Sequence, residues 1–268
     1  PTPSALLVQA EPVYADDELD KGKVFPPGAY LDGRYVDRDQ RISCRFRLSS
    51  ALELWPLRLG AARFVSGPTT FQAMGLDVAT GTAGGLLLSF LRPVSAAEKD
   101  KPGKPVTGIK ADTLVLHLVG DHAESVSIYE HLFNNATRAT IRYLDARGDP
   151  AFIRLEPDFL EQIGFEENEA IFAEDTRVFR GFSLLREFFV FPQKFLGFRL
   201  RGLRKLFPLI KSASFDLMIE MDNIRPNLPA RVTAEHFRMF AAPAVNLFEE
   251  NCSQVKLDTV RHEYLVQA

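Results

Sequence analysis

Alternation of apolar and polar residues marks strands along most of the chain. Residues 41–48 alternate strictly, with Ile42, Cys44, Phe46 and Leu48 on one side and Arg41, Ser43, Arg45 and Arg47 on the other. That period of two predicts a half-buried antiparallel strand, with Cys44 on its covered face. Residues 4–10, 84–94, 113–119, 137–145, 152–155, 195–200 and 215–222 alternate or run apolar over strand length and are predicted strands. Residues 232–239 are predicted extended, and 254–258 and 264–266 are predicted strands. Helical spacing is confined to short stretches. Residues 124–134 place Val126, Tyr129, Leu132 and Phe133 three and four apart, and 183–190 do the same with Leu184, Leu185, Phe188 and Phe189. Pro192 stops the second of these. Residues 243–248 are predicted as a helical turn. The Lys-, Pro- and Gly-rich stretch 95–108 is predicted as a hairpin loop.

This pattern predicts a mainly β, β-rich α+β chain of two tandem sandwich-like domains with short helices. Their expected bounds are 1–155 and 156–268, the second opening on an aromatic helix–strand junction.

Length supports that reading, because 268 residues bury a sizeable core without disulfides or metal. The balance of 32 basic and 35 acidic residues argues against a dedicated nucleic-acid binder. No apolar run approaches the length of a membrane span. Cys44 and Cys252 lack partners at metal-ligand spacing. The chain opens Pro1-Thr2-Pro3 with no initiator Met, and reads as a piece of something longer.

Candidate chemistry is sparse. There is no phosphate loop, nucleophile elbow or zinc-protease motif. His122 and His131 are nine residues apart, which puts them on opposite sides of a helix. Glu166, Glu167 and Glu169 lack the Asp/Asn alternation and Gly of a calcium loop. The interval 194–211 holds Lys194, Arg199, Arg201, Arg204, Lys205 and Lys211 and no acid. Arg199, Arg201, Arg204 and Lys205 are either a docking face for an acidic partner or a solvated side of a strand and loop.

Residues 182–203 read FSLLREFFVFPQKFLGFRLRGL. Leu184, Leu185, Glu187, Phe188, Phe189, Phe191, Pro192, Lys194, Phe195 and Leu196 fit the pattern LLxEYFxFPEKF, with Gln193 for a Glu and Gly197 for a Phe. Residues 239–249, MFAAPAVNLFE, fit FCAPAINLF through Ala242, Pro243, Asn246, Leu247 and Phe248. In these blocks the chain resembles the TssF family (VasA or ImpG) of type VI secretion system baseplate components. The likeness runs in order over essentially the whole chain, as a central fragment without the family's N-terminal helical region and C-terminal domain.

The resemblance implies a structural wedge subunit of a contractile injection machine, cytoplasmic and docked to the inner-membrane complex. It implies assembly with TssG (two TssF per TssG), a second TssF copy, TssK and TssE. It implies no enzyme activity and no cofactor, metal, nucleic acid or direct membrane insertion. The alternative is a β-sandwich carbohydrate-binding module or glycoside hydrolase, which needs a convergent polar pocket. Phe188, Phe189, Phe191 and Phe195 are expected to be buried in one cluster, a rigid junction between helix and sheet.

Overall fold

The computed structural model describes residues 2–33, 43–94, 103–172, 179–224, 232–249, 252–255 and 263. The strands in chain order begin with β1 (Ala5–Gln9), β2 (Lys23–Phe25), β3 (Tyr30–Asp32), β4 (Arg45–Leu48) and β5 (Leu52–Leu54). Then come β6 (Arg58–Ser66), helix α1 (Thr69–Ala73), β7 (Gly84–Leu91), β8 (Leu114–Leu118), helix α2 (His122–Asn135), β9 (Ala136–Leu144), β10 (Pro150–Arg154) and β11 (Leu160–Gln162). Helix α3 (Arg180–Val190), β12 (Gly197–Leu200), helix α4 (Leu203–Leu206), β13 (Ser214–Met221), β14 (Phe237–Met239) and β15 (Ala241–Val245) follow. Among the described residues strand outweighs helix, 35% against 24%, as expected of a β-rich α+β chain.

Every strand pairing among the described residues is antiparallel. The largest sheet runs β10-β9-β13-β7-β6, and two four-stranded sheets run β1-β15-β4-β3 and β11-β12-β8-β14. A small pair joins β2 to β5. Three of these four sheets combine strands from both sides of residue 155. The expected two-domain bounds therefore do not follow the sheets. A strand in mid-sheet needs hydrogen-bond partners on both edges, and here distant segments supply them: Ala5 of β1 faces Val245 of β15.

One main core lies among the sheets, fed by Leu86, Leu88 and Phe90 of β7, Phe215, Leu217, Ile219 and Met221 of β13, and Leu116, Phe198 and Ala242. Phe215, Leu217, Ile219 and Met221 thus share one covered face of β13, and its other face is also covered. Met218 and Leu87 pack there with Val65, Phe71 and Leu76 beneath α1. Gly85 makes that cover possible, since a Cβ on it would meet the Ile219 carbonyl at 2.0 Å and the Phe71 ring at 2.8 Å.

Helix α2 begins where the side chain of Asp121 accepts from the Ala123 and Glu124 amides, at 2.9 and 3.2 Å. Its buried face is Ile128, His131 and Leu132, whereas Val126 is exposed. The His131 ring bonds the Ser127 carbonyl oxygen through Nδ1 (2.8 Å).

Three local expectations change. Cys44 is exposed, because β4 begins only at Arg45 and the covered part of the sheet starts beyond it. Residues 241–245 form β15, so the first half of the predicted helical turn is a buried strand. Pro243 is tolerated there because its carbonyl, and hence its missing N–H, points toward Ser49 past the end of β4. Residues 232–239 close as a short 3-10 turn, Ala234–His236, before β14. The strands predicted at 254–258 and 264–266, and most of the loop predicted at 95–108, lie largely or wholly outside the described residues; the loop's described end closes as a 3-10 turn, Val106–Gly108.

Candidate functional site

Helix α3 carries two opposed faces. Its period sets Phe182, Leu185 and Phe189 within about 60° of arc, with Glu187 and Phe191 on the far side. The inward face is built around a charge. Glu187 is buried, and its Oε1 accepts from the amides of Ile171 (2.8 Å) and Phe172 (3.3 Å). Its Oε2 accepts from Nζ of Lys194, also buried. Pro192 opens a single 3-10 turn, Pro192–Phe195, which swings Lys194 back under the helix. The Lys194 ammonium also lies 5.0 Å from the centre of the Phe195 ring. Helix, turn and the 171–172 segment are thereby clamped at one point.

Phe191 packs with Ile171, Phe172 and Val245, joining the first sequence block to the second. Phe195 is buried against Phe165 and Phe188, with ring centres 4.9 and 6.1 Å apart. The expectation of four buried rings in one cluster fails for the other two: Phe188 is 51% and Phe189 77% exposed. Burying the Glu187 carboxylate commits that side of α3 to the interior and turns Phe188 and Phe189 outward. Phe189→Ala is therefore expected to leave the thermal midpoint of the chain within a degree or two of wild type, since exposed substitutions change stability by about 0.5 kcal/mol or less. A differential-scanning melt checks this.

A second charged cluster abuts the first. Glu169 is buried and accepts from Gly164 N (2.6 Å) through Oε2, while its Oε1 takes Arg199 Nη2 at 2.7 Å. Arg199 Nη1 reaches Glu161 at 3.2 Å. Burial opposes the Arg199 charge, but Glu169 and Glu161 outweigh it and hold its pKa above the ordinary value. Gly164 sits at φ +88°, and a Cβ there would stand 2.8 Å from the Lys194 carbonyl. Only glycine fits this close approach.

The basic interval is thus divided by the fold. Lys194 is buried, Arg199 is paired, and Arg201 lies 3.6 Å from Glu161 and 3.7 Å from Asp158. Arg204 and Lys205 stand exposed on α4. In the second block Ala242 and Ala244 join the main core. Asn246 ties two strands, donating from its side chain to the Arg45 carbonyl (2.6 Å) and from its amide to the Ser4 carbonyl (2.8 Å). Leu247 and Phe248 are partly exposed.

A cavity of about 110 Å³ lies behind this junction, lined among others by Trp55, His117, Glu169, Lys194, Arg199 and Pro243. Its Glu53 bonds Trp55 Nε1 at 3.2 Å, and its Glu169 is held as described. His117 reached the core without any sequence signal beyond its place in an apolar strand. Burial holds its imidazole down to about 4, against a backbone hydrogen bond at Ala241 that pulls the other way. Among the described residues, no group of three His, Cys, Asp or Glu side chains stands where it could hold a metal ion. Nor is any helix among them long and apolar enough to cross a membrane.

Comparison with known proteins adds the family. The TssF family model of type VI secretion systems matches residues 1–268. The type VI secretion system component TssF1 of Pseudomonas aeruginosa is 27% identical over 268 residues, which are 99% of this chain and 41% of that protein. A chain in the cryo-electron microscopy structure of a type VI TssK-TssF-TssG baseplate subcomplex superposes with a TM-score of 0.71 at 21% identity. That superposition covers 95% of this chain and 43% of the other. The chain thus spans well under half the length of both relatives, and over that span its fold matches that of the solved chain. With the family model matched from end to end, the chain belongs to the TssF family of type VI secretion systems.

Proposed function

We propose that this chain is a non-catalytic architectural region of a type VI secretion baseplate, acting by binding other baseplate proteins. The observation that carries the reading is the family match over all 268 residues. The fold shared with a chain solved in a TssK-TssF-TssG complex supports TssG and TssK as the partners to test first. A second TssF copy, two TssF per TssG, contact with TssE, and a cytoplasmic site at the inner-membrane complex complete the proposal.

The mechanism is geometric. Antiparallel sheets sharing one core, locked by the Glu187–Lys194 clamp, form a stiff body. A stiff body keeps its attachment points at fixed separation, so repeated wedges close into a ring instead of an open spiral. The FPxKF block contributes the clamp, and Ala242, Pro243 and Asn246 contribute the strand it leans on.

The test is co-purification of TssG and TssK with the full-length protein. Within it, Arg204→Glu with Lys205→Glu is expected to lower capture several-fold at low salt and less at high salt, as charges at an interface rim do. If capture and secretion survive charge reversal here and every other exposed substitution, this region is a passive spacer.

A further inference from the structure

We propose that the outward face of α3 is a homotypic interface, on which a second copy of this chain lays its own α3 in antiparallel orientation. Five large apolar side chains on or beside this one helix are exposed: Phe179, Phe182, Leu185, Phe188 and Phe189. Ring contacts extend the patch, from Phe179 to Phe182 at one end and from Phe189 through Phe188 to Phe195 and Phe165 at the other.

The area is the first argument for a second copy. Four half- to three-quarters-exposed phenylalanines and a leucine present roughly 500–700 Å² of apolar surface. That is at or above the largest apolar patch of an ordinary monomer, about 300–600 Å². It approaches the roughly 800 Å² per partner of a standard interface.

Charge is the second argument. Arg186, which borders the stripe, is drawn over the Phe172 ring at 4.1 Å. Arg180 donates to the Phe165 carbonyl at 2.5 Å and lies 3.5 Å from Glu167. Glu187 faces inward. Arg186 is the charge nearest the helix stripe, and its stacking on Phe172 draws it aside, so the stripe itself keeps the charge-depleted, aromatic composition of a homodimer core.

Geometry is the third. A two-fold axis near Leu185 sets Phe182 of one copy across from Phe189 of the other. Antiparallel packing also places each helix N-terminus beside the other's C-terminus, the favourable arrangement of dipoles. The inference rests on the baseplate reading only in giving the second TssF copy a place to bind.

Analytical ultracentrifugation of this chain over a range of micromolar concentrations tests it. A reversible dimer is expected, and Phe182→Ser with Phe189→Ser should abolish it while leaving circular dichroism unchanged and making the melt independent of protein concentration. Orientation is read on a Cys44→Ser, Cys252→Ser background. Chains carrying Phe182→Cys should cross-link to chains carrying Phe189→Cys, and not to themselves. A chain that stays monomeric throughout, or a dimer indifferent to the double serine variant, overturns the interface. So does a monomer that needs this stripe to capture TssG. Failure of the full-length protein to co-purify with TssG and TssK would instead sink the baseplate reading, independently of whether the chain dimerises.

Discussion

Lys194→Met is expected to lower the unfolding free energy by about 3–5 kcal/mol, because it leaves the buried Glu187 carboxylate without its counter-charge. The methionine stem fills the same volume, so lost packing does not account for the effect. Glu187→Leu should cost a similar amount, for a second reason. The amides of Ile171 and Phe172 lose their acceptor, and each buried unsatisfied donor costs about 1–3 kcal/mol. The double variant, Glu187→Leu with Lys194→Met, removes both charges yet keeps those two orphans. It should therefore recover only part of the loss, unlike a simple buried ion pair replaced by apolar side chains. Urea unfolding at neutral pH measures all three. A Lys194→Met midpoint equal to wild type would show that the clamp contributes nothing.

Acidification should weaken the fold through His117. Burial sets its folded pKa near 4 against 6.5 when unfolded. Between those values the unfolded chain binds the extra proton, so stability rises with pH across the window. The contribution is fully present above pH 6.5 and falls as the pH drops toward 4. At the bottom of the window about 3 kcal/mol has gone, at about 1.4 kcal/mol per unit. Lys194 and Arg199, which line the same cavity, give an imidazolium no relief. His117→Gln keeps a side-chain amide to bond at Ala241 and removes the titration. Urea midpoints at pH 7 and pH 5 are compared for both proteins. Carboxylates contribute equally to each, so the difference isolates His117. Equal pH slopes in wild type and variant would refute the assignment.

Much of the site was legible as pattern and little of it as environment. The three- and four-residue spacing of residues 183–190 predicts a helix, and Pro192 predicts its end; α3 stops at Val190. The same spacing misassigns the buried face, because apolar residues occupy both sides of this helix. Leu184, Leu185, Phe188 and Phe189 do fall within about 140° of arc, but Glu187 and Phe191, on the other side, are the residues buried. The telling residue was Glu187, the acid with a lysine seven positions on. Its signal was the pair itself, which becomes meaningful only once a tight turn folds Lys194 back beneath it. Likewise, the acid-free stretch 194–211 suggests an unopposed basic face. Glu161, Glu169 and Asp158 oppose much of it from other segments.

The amino-acid sequence determined several of the elements and the family. Period-two alternation marks β4, β8, β9 and β13 because side chains on a strand alternate faces by covalent geometry alone. The ordered aromatic and proline blocks carry the likeness to TssF, since their spacing is local. Tertiary structure decided which strands are neighbours, joining β1 to β15 and β13 to β7 and β9. It also decided which charges are buried and which phenylalanines face solvent. Those outcomes depend on contacts between residues far apart in the chain. Hydrogen-bond satisfaction and the cost of burying an unpaired charge settle them only when the whole chain is packed together.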